Sequence, residues 1–152
     1  MQRKTAKPGK TPVMTAPEVE AFLSEIAPSL KDQHWVIRVE ALEQRNARVR
    51  LTFDERHTRP GGTIMGAAQF QLADVGAYVV ILGALGRAGA NAVTSNLNIT
   101  YLRRPGACDL IGKTHLIKLG RRLAVCSVEL YSDGDLSEDA MVAHAIATYA
   151  MP

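Results

Sequence analysis

Gly62-Thr63-Ile64-Met65-Gly66-Ala67-Ala68-Gln69-Phe70-Gln71-Leu72-Ala73-Asp74 opens a stretch that stays apolar as far as Leu85 and carries one charged side chain, Asp74. Gln69 and Gln71 are its only strongly polar neighbours. A helix apolar all round must be surrounded by the rest of its fold. A carboxylate sunk in such a helix is expensive unless it changes its pKa or finds a hydrogen-bond donor. That expense makes catalysis the first expectation for Asp74. The bland alternative is a structural anchor, capping a neighbouring strand or pairing with Arg59 across chains. No fixed basic residue lies within one helical turn of Asp74, which favours catalysis. The stretch is also long enough to span a bilayer, but Asp74 would sit at its midpoint, where a charge costs roughly 2.5–3.5 kcal/mol. Strand-patterned segments flank it on both sides, so a buried helix is the better reading.

Upstream, Val19, Phe22, Leu23, Ile26 and Leu30 recur at helical spacing over 16–30. Thr15 suits the N-cap, Pro17 the first turn, and Glu18 and Glu20 the positive end of the dipole. The period then falls to two. Trp35, Ile37, Val39 and Ala41 alternate with Val36, Arg38 and Glu40, and Ala47, Val49, Leu51 and Phe53 alternate with Arg48, Arg50, Thr52 and Asp54. With a turn at 43–46, this predicts a hairpin. The loop 57–62 leads into the apolar helix, which should end near Gly86 and Gly89. Strands are predicted at about 93–102, 108–119, 122–131 and 140–149, separated by Arg104-Pro105-Gly106, Gly120 and Asp133-Gly134. The last is alanine-rich and helical by propensity alone, so its assignment as a strand rests on weak alternation. Helix, two strands, long apolar helix and four strands together predict an α+β domain, with an antiparallel sheet curled around the central helix.

The 152 residues carry a net charge of +3, with 47% hydrophobic and 22% charged content, as expected for one globular domain. Arg3, Lys4, Lys7 and Lys10 supply four of the positives. The remainder is slightly acidic, which argues against a nucleic-acid partner. Residues 1–14 read as a disordered basic leader and 15–152 as the domain. Cys108 and Cys126 show neither a CxxC pair nor zinc spacing, and no metal site is expected. No secretory pattern precedes the domain, so a cytoplasmic protein without a membrane anchor is expected. His34, His57, His115 and His144 read as core or surface residues, His57 having the best functional chance of the four.

Three blocks together resemble the hotdog-fold acyl-CoA thioesterases of the phenylacetate-pathway type. The first is Gly62-Thr63-Ile64-Met65-Gly66-Ala67 followed by Leu72-Ala73-Asp74. The second is Thr94-Ser95-Asn96-Leu97-Asn98-Ile99-Thr100-Tyr101-Leu102-Arg103-Arg104-Pro105, and the third is Gly120-Arg121-Arg122-Leu123-Ala124. The resemblance covers about residues 34–150. It implies a hotdog fold of five to six strands wrapped around a long central helix. It also implies hydrolysis of a small aromatic or short-to-medium-chain acyl-CoA without a cofactor. Asp74 would act as general base or nucleophile, Gly66 would polarise the thioester carbonyl through its N–H, and Thr94 would position water. Three positions depart from the family pattern: Met65 replaces a His, Ala67 a Gly, and Arg59 an Asn that orients the nucleophile or the thioester.

Gly66 stands in the first turn of the helix, where N–H groups are free and the dipole is positive. Eight residues separate it from Asp74, about 12 Å along the helix, so one chain cannot easily place both on one carbonyl. A homodimer with two shared sites is therefore expected, assembling further into a tetramer. Gln71 could bond the carboxylate or the substrate, and Phe70 and Tyr78 would wall the acyl pocket or the dimer seam. Arg103, Arg104, Arg121 and Arg122 could meet the phosphates of coenzyme A. A non-catalytic acyl-CoA sensor on the same fold is the competing reading, favoured by Met65 and Arg59. A hydratase would need a His within 62–78, and there is none.

Overall fold

A computed structural model describes residues 10–28 and 34–152. Leu30 and residues 1–9 of the expected leader lie outside the described residues. Lys10–Met14 do not behave as a leader. The Val13 N–H donates to Gly83 O at 2.7 Å, Lys10 O accepts from the Gln44 N–H at 3.0 Å, and Met14 is buried.

Helix α1 (Ala16–Ile26) starts where the Glu18 carboxylate accepts hydrogen bonds from both the N–H and the hydroxyl of Thr15. Its Glu20 accepts from the Val39 N–H at 2.6 Å and so ties the helix to the first strand. That strand, β1 (Ile37–Leu42), forms a hairpin with β2 (Asn46–Leu51). Helix α2 (Gly66–Leu85) follows, then β3 (Val93–Tyr101), β4 (Leu110–Leu119), β5 (Leu123–Ser132) and β6 (Met141–Ala150). All neighbours pair antiparallel in the order β1-β2-β4-β5-β6-β3. This is the α+β architecture that the element order predicts and the hotdog fold that the resemblance implies.

Inward residues of the sheet, among them Val49, Leu51, Leu110, Leu116, Val128 and Leu130, close over Leu72, Val79, Val80, Ile81 and Leu82 of α2. Each fully buried leucine or valine of this kind contributes about 1.5–3 kcal/mol. Helix α2 is long and apolar enough to cross a membrane, yet most of it is packed inside this sheet. The alanine-rich segment is β6: Ala143, Ala145, Ala147 and Tyr149 point inward and alternate with His144, Ile146 and Thr148. Pairing on both edges with β5 and β3 overrides the helical propensity of its alanines.

Close approach of α2 to the sheet depends on Gly76, where a Cβ would meet Thr114 Oγ1 at 2.8 Å and Val49 at 3.3 Å. Replacing Gly76 with Val should therefore destabilise the domain by about 1–3 kcal/mol through overpacking. Chemical denaturation should show this as a lower midpoint with an unchanged slope.

One expectation fails. Helix α2 is not enclosed on every side, because its stripe bearing Ala67, Phe70, Gln71, Asp74 and Tyr78 is exposed or half-buried. Asp74 is thus half-buried rather than sunk in the core. The cause is topological: β3 ends the sheet, and every residue from Val93 to Tyr101 remains exposed or half-exposed.

Candidate active site

The loop before α2 sets the position of Gly66. Arg59-Pro60-Gly61-Gly62 is a tight turn, closed by the Gly62 N–H donating to Arg59 O at 3.0 Å. Gly61 (φ 103°) and Gly62 (φ 80°) adopt the left-handed backbone that it needs. The Arg59 N–H then bonds Thr63 O, Thr58 bridges to Ile64, and the Met65 N–H bonds His57 O at 2.8 Å. His57 is buried and stacked on Trp35 with ring centroids 4.3 Å apart. Burial holds its imidazole below the usual histidine pKa. Its role is to anchor this loop.

Met65 is the N-cap of α2 and has no polar side chain to offer the first turn. Ala68 and Gln69 donate their N–H groups to Met65 O, while those of Gly66 and Ala67 find no acceptor among the described residues. Two free donors at the positive end of a long helix form a ready site for a developing oxyanion. Tyr101 closes over Gly66: its hydroxyl donates to Gly66 O at 2.9 Å, and a Cβ on Gly66 would lie 3.0 Å from its ring.

Two turns further along α2, Asp74 is held by hydroxyls. Thr94 Oγ1 and the Tyr149 hydroxyl each donate to Asp74 Oδ1 at 2.7 Å, and the Tyr149 hydroxyl also lies 2.8 Å from Asp74 O. The other carboxylate oxygen, Oδ2, takes no hydrogen bond and no ion pair among the described residues. One oxygen is fixed and the other is free, which is how a base aimed at water should be held. Burial first, and then the Asp74 charge, push the Tyr149 phenol far above its ordinary pKa, so it remains a neutral donor. Tyr78 supports Tyr149 by stacking at 6.1 Å and fixes its own hydroxyl on Ala90 O at 2.8 Å.

Thr94 and Tyr149 are register partners across β3 and β6. Tyr149 beside Asp74 and Tyr101 beside Gly66 are the residues that the sequence reading missed; for Tyr149, a lone phenol in an alanine-rich strand was the available signal. We expect Tyr149→Phe to lower kcat about tenfold while costing about 1 kcal/mol of stability. Steady-state kinetics together with thermal unfolding would separate the two effects.

The remaining candidates divide by position. Arg59, Gly66, Gln69, Tyr101, Arg103 and Arg104 line one cavity of about 470 Å³ beside the start of α2. Arg121 and Arg122 are exposed in the β4–β5 turn, where Arg122 O accepts from the Met151 N–H, near the Val93 end of β3. Within one chain the two arginine pairs therefore lie at opposite ends of β3. Gln71 makes no hydrogen bond to Asp74 among the described residues, and Phe70 is exposed on the open stripe. The Cys126 thiol is buried and pushed up to about 12, as suits a core residue. Among the described residues, no three His, Cys, Asp or Glu side chains gather where a metal could bind.

Comparison with known proteins places the chain in a family. A protein of Silicibacter sp. TM1040, described as a candidate thioesterase, is 37% identical with a TM-score of 0.82, over 95% of this chain and 96% of that one. A candidate thioesterase from Ralstonia eutropha JMP134, described as related to phenylacetic acid degradation, is 26% identical with a TM-score of 0.67, over 82% and 90%. Zebrafish thioesterase superfamily member 2 shares the fold at 22% identity with a TM-score of 0.76, over 91% and 99%. No curated protein sequence matches. The thioesterase superfamily profile matches residues 61–138, the segment that carries Gly66, Asp74 and Thr94. The chain belongs to the thioesterase superfamily.

Proposed function

We propose that this protein hydrolyses acyl-CoA thioesters with a small aromatic or short-to-medium-chain acyl group, in the cytoplasm and without a cofactor. Asp74 Oδ2 takes a proton from water as the oxygen attacks the thioester carbonyl carbon. The carbonyl oxygen gathers the negative charge and is met by the Gly66 N–H. Collapse of the intermediate breaks the C–S bond, the proton passes to the leaving thiolate, and carboxylic acid and free thiol depart. Direct attack by Asp74, followed by hydrolysis of the anhydride, gives the same products. The observation that carries the reading is the Asp74 carboxylate with one oxygen clamped by Thr94 and Tyr149 and the other free.

Each site is shared between two subunits of a homodimer. The support is the open edge of β3, an exposed nine-residue strand with Val93 and Tyr101 bare; such an edge is normally paired or protected. Thr94 near one end of β3 bonds Asp74, and Tyr101 at the other end bonds Gly66. Two copies of β3 joined antiparallel about a two-fold axis bring Asp74 of one protomer to Gly66 of the partner subunit. The same operation brings Arg121 and Arg122 towards Arg103 and Arg104 of the partner subunit, and these four arginines suit the phosphates of coenzyme A. Two dimers associate as a tetramer.

Met65 and Arg59, where the family pattern has His and Asn, favour a second reading, a non-catalytic acyl-CoA binder. Steady-state hydrolysis of an acyl-CoA panel by the native protein and by Asp74→Asn decides between the two. Turnover well above the variant's supports the hydrolase. Tight binding with equal, negligible turnover supports the binder.

A further inference from the structure

Three arginines line the cavity beside Gly66: Arg59 on the loop before α2, and Arg103 and Arg104 just after β3. Among the described residues no carboxylate lines it. Other arginines bind within the chain. Arg45 donates to Leu116 O and Ile117 O, Arg48 and Arg50 pair with Glu40, Arg56 pairs with Asp54, and Arg87 with Glu25. Arg103 has an anion nearby: hydrogen bonds from Ser137, and then the Arg103 charge, hold the Asp135 carboxyl below its usual range. The Arg59 guanidinium has no acceptor among the described residues.

The Arg59 backbone, by contrast, is fixed. Its N–H bonds Thr63 O at 2.9 Å, Thr58 bridges to Ile64, and the Met65 N–H bonds His57 O. Ile64 points into the core at 3% exposure, so the alternation of an extended ladder turns Arg59 and Thr63 to the opposite face. Both residues line the cavity, and the same loop ends at Gly66. Arg59 is thus an exposed cation on a rigid loop, beside the N–H that would hold a thioester carbonyl.

A cation in this position selects an anionic group. The carrier offers its phosphates, but the whole pantetheine arm separates them from the thioester, and Arg103 and Arg104 stand exposed to meet them. An anion close to the thioester carbonyl belongs instead to the acyl side. A carboxylate is the acyl anion whose two oxygens match the planar guanidinium fork.

We propose that Arg59 is a specificity-determining residue that binds a carboxylate on the acyl group, so that the substrate is a thioester of a short dicarboxylic acid. The inference rests on the hydrolase reading above and narrows its acyl group.

The test compares acyl groups of equal carbon number with and without the carboxylate, glutaryl against valeryl and adipoyl against hexanoyl. Each is offered as the coenzyme A thioester and as the N-acetylcysteamine thioester, which has no phosphate. The native protein should favour a carboxylated member in kcat/KM by about ten- to a hundredfold on both carriers, the worth of one hydrogen bond between charged groups. The ratio should fall to about one or below in Arg59→Gln and recover in part in Arg59→Lys. A native ratio near one overturns the proposal. So does a loss in Arg59→Gln that is confined to coenzyme A esters whatever the acyl group, which would assign Arg59 to the phosphates. An equal loss on both members of each pair, as pairing with Asp74 of the partner subunit would give, overturns it as well. Equilibrium binding of glutaryl-CoA and valeryl-CoA separates this inference from the hydrolase reading. Should the native protein turn nothing over, a binding preference for glutaryl-CoA that Arg59→Gln abolishes upholds the carboxylate site, and equal binding overturns it.

Discussion

Asp74→Asn should cut kcat by about 10²–10⁴-fold, the range expected for losing a general base, while KM and thermal stability change little. The asparagine carbonyl can still accept from Thr94 and Tyr149, whose hydroxyls hold Oδ1 in the native site at 2.7 Å each. The Oδ2 position then becomes an amide N–H₂, a donor that cannot take a proton from water. Asp74 is half-buried and has no ion pair among the described residues, so removing its charge leaves no buried cation stranded. A change in kcat without a change in fold separates chemistry from architecture. A variant as active as the native protein would move the base elsewhere and remove the main support for hydrolysis.

Gly66→Val should be nearly as damaging by a different route. The smallest addition at this position, a Cβ, already lies 3.0 Å from the Tyr101 ring, so the branched side chain must displace it. The Tyr101–Gly66 hydrogen bond is lost, and the added methyls crowd the approach to the Gly66 N–H. Loss of an oxyanion donor costs about 10²–10³-fold in kcat. Overpacking at this edge adds about 1–3 kcal/mol of instability. Calorimetry and steady-state kinetics on the same preparation would resolve both. Tyr101→Phe keeps the ring but drops the hydroxyl, and it should retain most activity if the ring's main task is to cover the first turn.

The fold was readable because its elements carry strong periods. Val49 and Leu51 alternate with Arg48 and Arg50, and the helix from Gly66 to Leu85 has one charge in twenty residues. The candidate site was readable only in part. Asp74 stood out as a charge among apolar neighbours, and Gly66 through its place in the first turn. Tyr149 did not, because its relation to Asp74 depends on β3–β6 register, which pairs residues 55 positions apart (Thr94 with Tyr149). Gln71, at helical spacing from Asp74, was a plausible partner, but two hydroxyls from neighbouring strands hold the carboxylate instead. The expected burial of Asp74 failed for a related reason. Periodicity shows that a helix is apolar all round, but it does not say whether the covering surface comes from the same chain. The leader boundary moved because the Val13 N–H reaches Gly83 O, a contact that composition does not encode.

The shared site is tested most directly by mixing two inactive proteins. Asp74→Asn and Gly66→Val should each be nearly inert alone. Co-expressed, or unfolded and refolded together, they should form the proposed heterodimers, in which one site carries both lesions and the other neither. Activity should then return to about one quarter of the native level, since about half of the dimers are mixed and each has one intact site of two. A mixture that stays as inactive as its components, with heterodimers demonstrably present, would place Asp74 and Gly66 in the same chain's site and contradict the account.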